Sequence, residues 1–514
     1  MCGIAAVLDE RDDGTERVRH MLVRLQHRGD VAPAWASVAS GVLGCVRLRI
    51  VDRENGAQPF VSDTGSITVT YNGEIYNYPE LRVELEGRGV QFRTDCDTEV
   101  LIHLYSAYGR SMVERLDGMF AFVLHDASKG EWFAARDRYG IKPLYWARHE
   151  GETYVASEMK AFEGLATGAY DELRPGHAMN AEGTWCYSRP VYGKSTIDSD
   201  QEVAKTIRAL VEKAVQCRTR TDLPIGVFLG GGLDSAIVQM LCCKYHGDVT
   251  AIIVGKEDSS DVVSALRMCK EFGMKYSLVL VAEEELLSNV QEAVRITETF
   301  EPNVVRGALL SLKLAERASE LGLRVVLCGE GSDELFAGYG DFLGMQDDVQ
   351  FEAFRRRLFD DLYRTQLLRI DRTGMHYGVE VREPFMDQQL VKYAETIRPS
   401  LKVGVGPSGQ RTTKAILRWA FTDMLPDYIL NRVKATLMEG AGIGGVAREE
   451  GALYKYAEER VSDSAYYDVQ QQFWQYSIAN KEEALCFRYF VERYSKAQFA
   501  VRRVAHAQRE IRSA

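Results

Sequence analysis

Cys2 follows the initiator methionine and precedes Gly3. Cysteine is small enough for Met1 to be removed, which would expose the α-amine of Cys2. That amine has a reference pKa of about 7.7–8.0. It can then act as the local base for its own thiol, as in N-terminal nucleophiles. Two later segments carry groups suited to phosphate chemistry. VFLGGGLDSA (227–236) reads as a strand, a Gly-rich turn and a helix start. Glycines let backbone N–H groups approach a phosphate closely, and a helix N-terminus adds a favourable field. The pattern is not the G-x-x-x-x-G-K-[ST] loop. CGEGSDELFAGY (328–339) follows the apolar RVVLC and carries Glu330, Asp333 and Glu334, at a strand end where such sheets bind ligands. Taken alone, each has a plainer reading: a chance cysteine, an ordinary strand-to-helix turn, a solvated acidic loop.

These groups need elements to hold them. Residues 1–190 show short β-type runs broken by turn residues: 41–52, 66–73, 119–126, 131–137 and 152–158. Ile67, Val69 and Tyr71 alternate as in a half-buried strand. Helix is expected around Thr98 to Tyr108. This is an α+β domain dominated by sheet. The polar stretch within 191–202 reads as a linker and helix start. Beyond it, Val203, Ile207, Leu210, Val211, Ala214 and Val215 recur at helical spacing. Strands at 224–229, 250–254, 276–281 and 324–328 alternate with helices, one at 307–321. That alternation predicts a parallel α/β sheet, followed by a mostly helical C-terminal part.

Composition narrows the function classes. The 514 residues suffice for about two to four domains. Lys and Arg number 63 against 74 Asp and Glu, a net charge of −11. This excludes a general nucleic-acid binder, which carries a basic footprint, but leaves room for a small anion held by a few groups. The ten cysteines show no C-x-x-C spacing and the nine histidines no zinc-ligand spacing. Most of the cysteines read as buried small hydrophobes in a reducing compartment. The N-terminus lacks the basic region of a signal peptide, and no apolar run is long enough for a membrane span. A cytoplasmic protein without a membrane partner is expected.

Eight segments then appear in order: MCGIAAV, LQHRGD, RLRIVD, YNGEIYN, DCDTEV, LDGMFAF, RDRYGIKPLY and SEMKA. Together they resemble the class II glutamine amidotransferase domain of the glutamine-dependent asparagine synthetase family, over nearly all of 1–190. The resemblance implies an αββα N-terminal-nucleophile sandwich in which Cys2 attacks the carboxamide of glutamine. Asn72 and the Gly73 N–H would form the oxyanion hole. Arg47 would hold the glutamine α-carboxylate, with Ile50 and Val51 beside it, and Glu74 and Asp97 would face its ammonium group. Taken structurally, Arg47 is a strand-edge arginine and Asp97 a helix cap. Two departures stand out. His27-Arg28-Gly29-Asp30-Val31 replaces the usual HRGPD, and Arg49 replaces the serine of RLSIVD, either altering the pocket or facing away along the strand.

The second half, 203–514, resembles the ATP-pyrophosphatase domain of the same family, its loop usually reading SGGLDS. Here Gly230 replaces the first serine. The resemblance implies ATP held by Gly230, Gly231, Gly232, Asp234 and Ser235, with adenine and ribose near Phe228, Leu229, Val254, Cys328 and Gly329. Asp234 and Asp333 would share Mg2+. Glu330 would take a proton from attacking ammonia, and Lys434 would stabilise charge on departing pyrophosphate or AMP. Asp333, Glu334 and Asp387, in YGVEVREPFMD, would face the amino group of the acceptor. Arg306 could receive its α-carboxylate; taken structurally it pairs with Glu301 or solvent. Glutamine, ATP and a carboxylate acceptor are the expected partners, aspartate foremost, and a homodimer is admitted. The rivals are a specialised amidotransferase for another carboxylate, a β-lactam synthetase-like ligase, and a binding protein that has lost catalysis.

Overall fold

The computed structural model describes residues 1–9, 14–189, 199–443 and 451–496. The chain divides into two compact units. One is Met1–Pro190 with Met375–Gly378 and Arg488–Ala514; the other is Val191–Gly374 with Val379–Phe487. Residues 190–198 of the expected linker lie outside the described residues. Its last residues open the helix Asp200–Arg218, where Ser199 Oγ accepts the Glu202 N–H and the Glu202 carboxylate accepts the Ser199 N–H. This reciprocal cap satisfies donors that a helix start leaves open.

The first unit is built on two six-stranded antiparallel sheets. One runs in the order Tyr170–Glu172, Tyr145–His149, Glu152–Ala156, Cys2–Leu8, Gly41–Arg47, Ala34–Val38. The other runs Thr184–Cys186, His177–Met179, Glu131–Arg136, Gly118–Asp126, Ile67–Ile75, Phe60–Val61. Alternation along each strand decides what fills each layer. Ile67, Val69, Tyr71 and Ile75 point to the helices Tyr78–Glu86 and Asp97–Tyr108. Ile4, Ala6, Leu8 and Leu43 of one sheet pack against Ala121, Val123 and Ala134 of the other. Helix Thr15–Arg24 covers the outer face of the Cys2 strand. The layers are helix, sheet, sheet, helix. Thr68, Thr70, Asn72 and Glu74 of the Ile67–Ile75 strand therefore share the face turned to the Cys2 sheet, and Thr70 Oγ1 donates to Gly44 O across the gap at 2.9 Å.

The second unit holds a five-stranded, all-parallel sheet in the order Lys275–Leu280, Val249–Gly255, Ile225–Phe228, Val325–Leu327, Glu380–Arg382. Chain order reverses between Ile225–Phe228 and Val325–Leu327. Such a switch point opens a crevice at the carboxyl ends of the strands. The Gly-rich loop follows the first of these strands and the acidic loop the second. The fifth strand, Glu380–Arg382, is not legible as one, because two of its three residues are charged. It is nonetheless fully buried: Arg382 Nε donates to Glu380 Oε1 at 2.6 Å and Nη1 to Arg218 O at 2.7 Å. A hairpin, Val403–Val405 with Arg411–Thr413, interrupts the expected helical part and ends at Lys414.

Breaking a buried ion pair by removing one partner costs about 3–5 kcal/mol. Arg382→Leu should lower the urea midpoint of the second unit by a corresponding amount, followed by circular dichroism. An unchanged midpoint would mean that the edge strand does not depend on this cation.

Candidate active sites

In the first unit, the Cys2 N–H donates to Asn72 Oδ1 at 2.9 Å. That bond uses the carbonyl end of the amide. The other end, Asn72 Nδ2, is buried and has no hydrogen-bond partner. A spare buried donor beside a nucleophile is what an oxyanion hole requires. Gly73 follows in the same strand, where a side chain would strike Met119 O and Phe120 of the neighbouring strand. Arg28 Nε donates to Cys2 O at 3.1 Å, and its guanidinium pairs with fully buried Glu158. Burial pushes the Cys2 thiol up. The thiol of Cys45, the Met1 ammonium, the Leu48 N–H and Arg47 outweigh it and, with Met1 in place, bring the pKa down to about 7.

Gln58 was not singled out from the sequence. Its Oε1 accepts the Tyr71 N–H at 2.7 Å and its Nε2 points at Cys2 Sγ at 3.6 Å; no spacing rule marks such a residue. Arg47 pairs opposite Cys2 and donates to Val51 O at 2.9 Å and Asp52 O at 2.8 Å, holding the turn that contains Val51. Ile50 is buried beside it, and Glu74 is buried on the same strand face as Asn72. The helix-cap reading of Asp97 is corrected. Cys96 occupies the cap position, and Asp97 Oδ2 instead accepts from Tyr71 Oη at 2.7 Å and Ile75 N at 3.1 Å. The two departures face each other: Asp30 Oδ1 accepts the Arg49 N–H at 3.0 Å and Asp30 Oδ2 pairs with Arg49 Nη2 at 3.1 Å.

In the second unit one cleft lies at the switch point. All the residues assigned to ATP line it except Gly231, and Glu330, Asp333 and Lys434 line it too. Its centre is Lys414, which no spacing rule marks in the sequence. The Lys414 side chain is buried, with Nζ 2.6 Å from Asp234 Oδ2 and 2.7 Å from Asp333 Oδ1. Lys434 Nζ lies 2.7 Å from Asp333 Oδ2. Ser332 Oγ donates to Asp234 Oδ1 at 2.7 Å, joining the two loops. Gly329 permits this approach, since a Cβ there would lie 2.8 Å from Asp234 Cβ. Burial opposes ionisation of Asp333, but Lys414 and Lys434 hold its carboxyl well below the usual range. Burial likewise opposes the Lys434 charge, and Asp333 and Asp234 override it and raise its pKa. Glu330 is paired with buried Arg369, another residue the sequence did not single out.

Three expected acceptor ligands do not line this cleft. Glu334 is buried and accepts from Tyr339 Oη; burial, then Asp333, raises its pKa to about 7. Asp387 caps the helix Gln388–Ala394 through the N–H groups of Gln389 and Leu390 and pairs with Arg218 at 3.2 Å. Arg306, partly exposed, is held by both carboxylate oxygens of fully buried Glu482 and donates to Asn303 Oδ1 at 3.3 Å, rather than pairing with Glu301. A buried carboxylate and a helix start are strong competitors for these charges.

Among the described residues, no group of three or more His, Cys, Asp or Glu is poised to hold a metal ion. Asp234 and Asp333 nevertheless fit a hard cation that keeps most of its ligands from phosphate and water. Both offer buried carboxylate oxygen, and Asp333 Oδ1 takes no in-line hydrogen bond despite the nearby Lys414.

A family model described as glutamine amidotransferase domain matches residues 1–175, and one described as asparagine synthase matches 206–356 and 344–504. The chain is 32% identical to a glutamine-hydrolysing asparagine synthetase of Triphysaria versicolor, across 96% of this chain and 86% of that one. It is 32% identical to the nodule enzyme of Pisum sativum over the same shares. With asparagine synthetase 3 of Arabidopsis thaliana the identity is 33%, over 90% and 82%. No described helix is long and apolar enough to cross a membrane.

Two outcomes follow for these sites. Only the thiolate attacks, so glutamine hydrolysis should be low in acid and rise through an apparent pKa of about 7. A rise centred near the ordinary thiol value would show that the Cys2 surroundings do not hold its proton off. Lys414→Met should cut ATP-dependent pyrophosphate release by about 10²–10³, the usual effect of deleting one preorganised charge, with glutamine hydrolysis intact. Release within twofold of wild type would remove Lys414 from the site.

Proposed function

We propose, for a chain that belongs to the glutamine-hydrolysing asparagine synthetase family, that Cys2 frees ammonia from glutamine and that the switch-point cleft uses ATP to amidate aspartate. The Cys2 thiolate attacks the carboxamide carbon. Asn72 Nδ2 and the Gly73 N–H receive the charge forming on oxygen, ammonia leaves, and water hydrolyses the thioester to glutamate. In the cleft the acceptor carboxylate attacks the α-phosphorus of ATP, and the bond to pyrophosphate breaks. A free carboxylate is a poor electrophile, whereas the acyl-adenylate carries a good leaving group. Ammonia then attacks the acyl carbon, Glu330 takes its proton, and AMP departs. Arg369 aims Glu330, while Lys414 and Lys434 offset charge on the phosphates. Mg2+, when held by Asp234 and Asp333, supplies further neutralisation of the phosphate oxygens.

The observation that carries this reading is Lys414 set between Asp234 and Asp333. It joins the two loops in a buried charge cluster that lines the cleft. All ten cysteines are free, which suits a cytoplasmic setting. The cleft supplies both signs for an amino acid through Lys414, Lys434, Glu330 and Asp333. One observation favours a second reading, a different small carboxylate as acceptor: Arg306 and Asp387 are already paired with Glu482 and Arg218.

Pyrophosphate release with ATP, magnesium, glutamine and a panel of acids separates the two. Aspartate should react fast and succinate, lacking the amino group, far more slowly. Equal turnover of both, or turnover with another acid alone, would reject aspartate. Cys2→Ala should lose glutamine use yet keep synthesis from free ammonia. Glutamine hydrolysis at the normal rate in that variant would exclude Cys2 as the nucleophile.

A further inference from the structure

Helix Pro302–Glu320 contributes Ser311 and Leu314 to the cleft. Ser311 is 1% exposed, and its Oγ has no hydrogen-bond partner. A hydroxyl inside a helix commonly returns to the carbonyl four residues back. Thr297, Thr373 and Ser106 do so, reaching Ala293, Arg369 and Ile102 at 2.6, 2.9 and 2.9 Å. Ser311 makes no such bond to Gly307. A buried polar group without a partner bears its full desolvation cost, and a native one needs a reason.

The surroundings of Ser311 indicate what would pair with it. Its helix packs on the strand Val249–Gly255 and on the short helix Leu437–Gly440. These bring Val254 and Leu437 to the cleft wall along with Leu314. That flank is apolar. The charged groups, Asp234, Asp333, Lys414 and Lys434, gather at the two loops. Phosphates belong with the charges, and a flat heteroaromatic base belongs on an apolar flank. A lone hydroxyl in such a wall can donate to a ring nitrogen or accept from an exocyclic amine.

We propose that the Ser311 hydroxyl hydrogen-bonds the edge of the adenine base and sets the affinity of the cleft for ATP. This rests on the ATP-dependent reading above. The test is Ser311→Ala in ammonia-dependent pyrophosphate release at saturating aspartate. Loss of one buried hydrogen bond should raise KM for ATP about five- to tenfold, with KM for aspartate and the rate of glutamine hydrolysis unchanged. The melting temperature of the ligand-free variant should hold or rise, because an unpaired hydroxyl is removed, while the rise on adding ATP should shrink. An unchanged KM for ATP, an increase in KM for aspartate in its place, or a lower ligand-free melting temperature would each overturn the assignment. If wild type binds ATP by thermal shift but releases no pyrophosphate with any acid, the proposed reaction fails. The ATP-induced shift in Ser311→Ala against wild type then still decides the role of Ser311.

Discussion

A lysine ammonium buried between two carboxylates governs the second unit. Lys414 reaches Asp234 after one strand and Asp333 after another, at the one place where an open parallel sheet leaves a crevice. Burying any of these charges alone would be prohibitive. Together they are tolerable, and they hold two loops in contact before a ligand arrives. Electrostatic preorganisation of this kind lowers a barrier because nothing need reorient as charge moves. Ser332 and the missing side chain of Gly329 complete the junction.

The first unit solves a different problem by a similar economy of groups. Cys2 is on one sheet and the Asn72 amide that meets its N–H is on the other. Asn72 Oδ1 accepts the Cys2 N–H, and its buried Nδ2 has no hydrogen-bond partner. If Met1 is removed, the same bond would orient the Cys2 amine, leaving its lone pair for the thiol proton. Arg28, tied to buried Glu158, fixes the Cys2 carbonyl from the other side.

The departures from the family pattern become intelligible as pairs. Asp30 and Arg49 bind each other, so the displaced acid and the new arginine act together and Arg49 does not need a place in the glutamine pocket. At Gly230, a Cβ would lie 3.2 Å from Asp261 Oδ2, and Arg432 donates to both Gly230 O and Asp261. A serine would crowd that carboxylate, and the Asp261–Arg432 pair takes up the space beside the loop.

Much was decided along the chain alone. The Gly-rich and acidic loops, the alternation of Ile67, Val69 and Tyr71, and the helical repeat of Val203, Ile207 and Val211 are local patterns, and local backbone geometry obeys them. The strand Glu380–Arg382 escaped because burial of its charges depends on each other and on Arg218, far away in sequence. Gln58, Lys414 and Arg369 escaped for the same reason: a single polar residue acquires a role only from what folding sets beside it. Asp387 and Arg306 had suitable charges, yet a helix start with Arg218, and the carboxylate of Glu482, took them first. Residue type determines what chemistry is available; competition among neighbours in three dimensions, which one sequence cannot display, determines which group remains free to perform it.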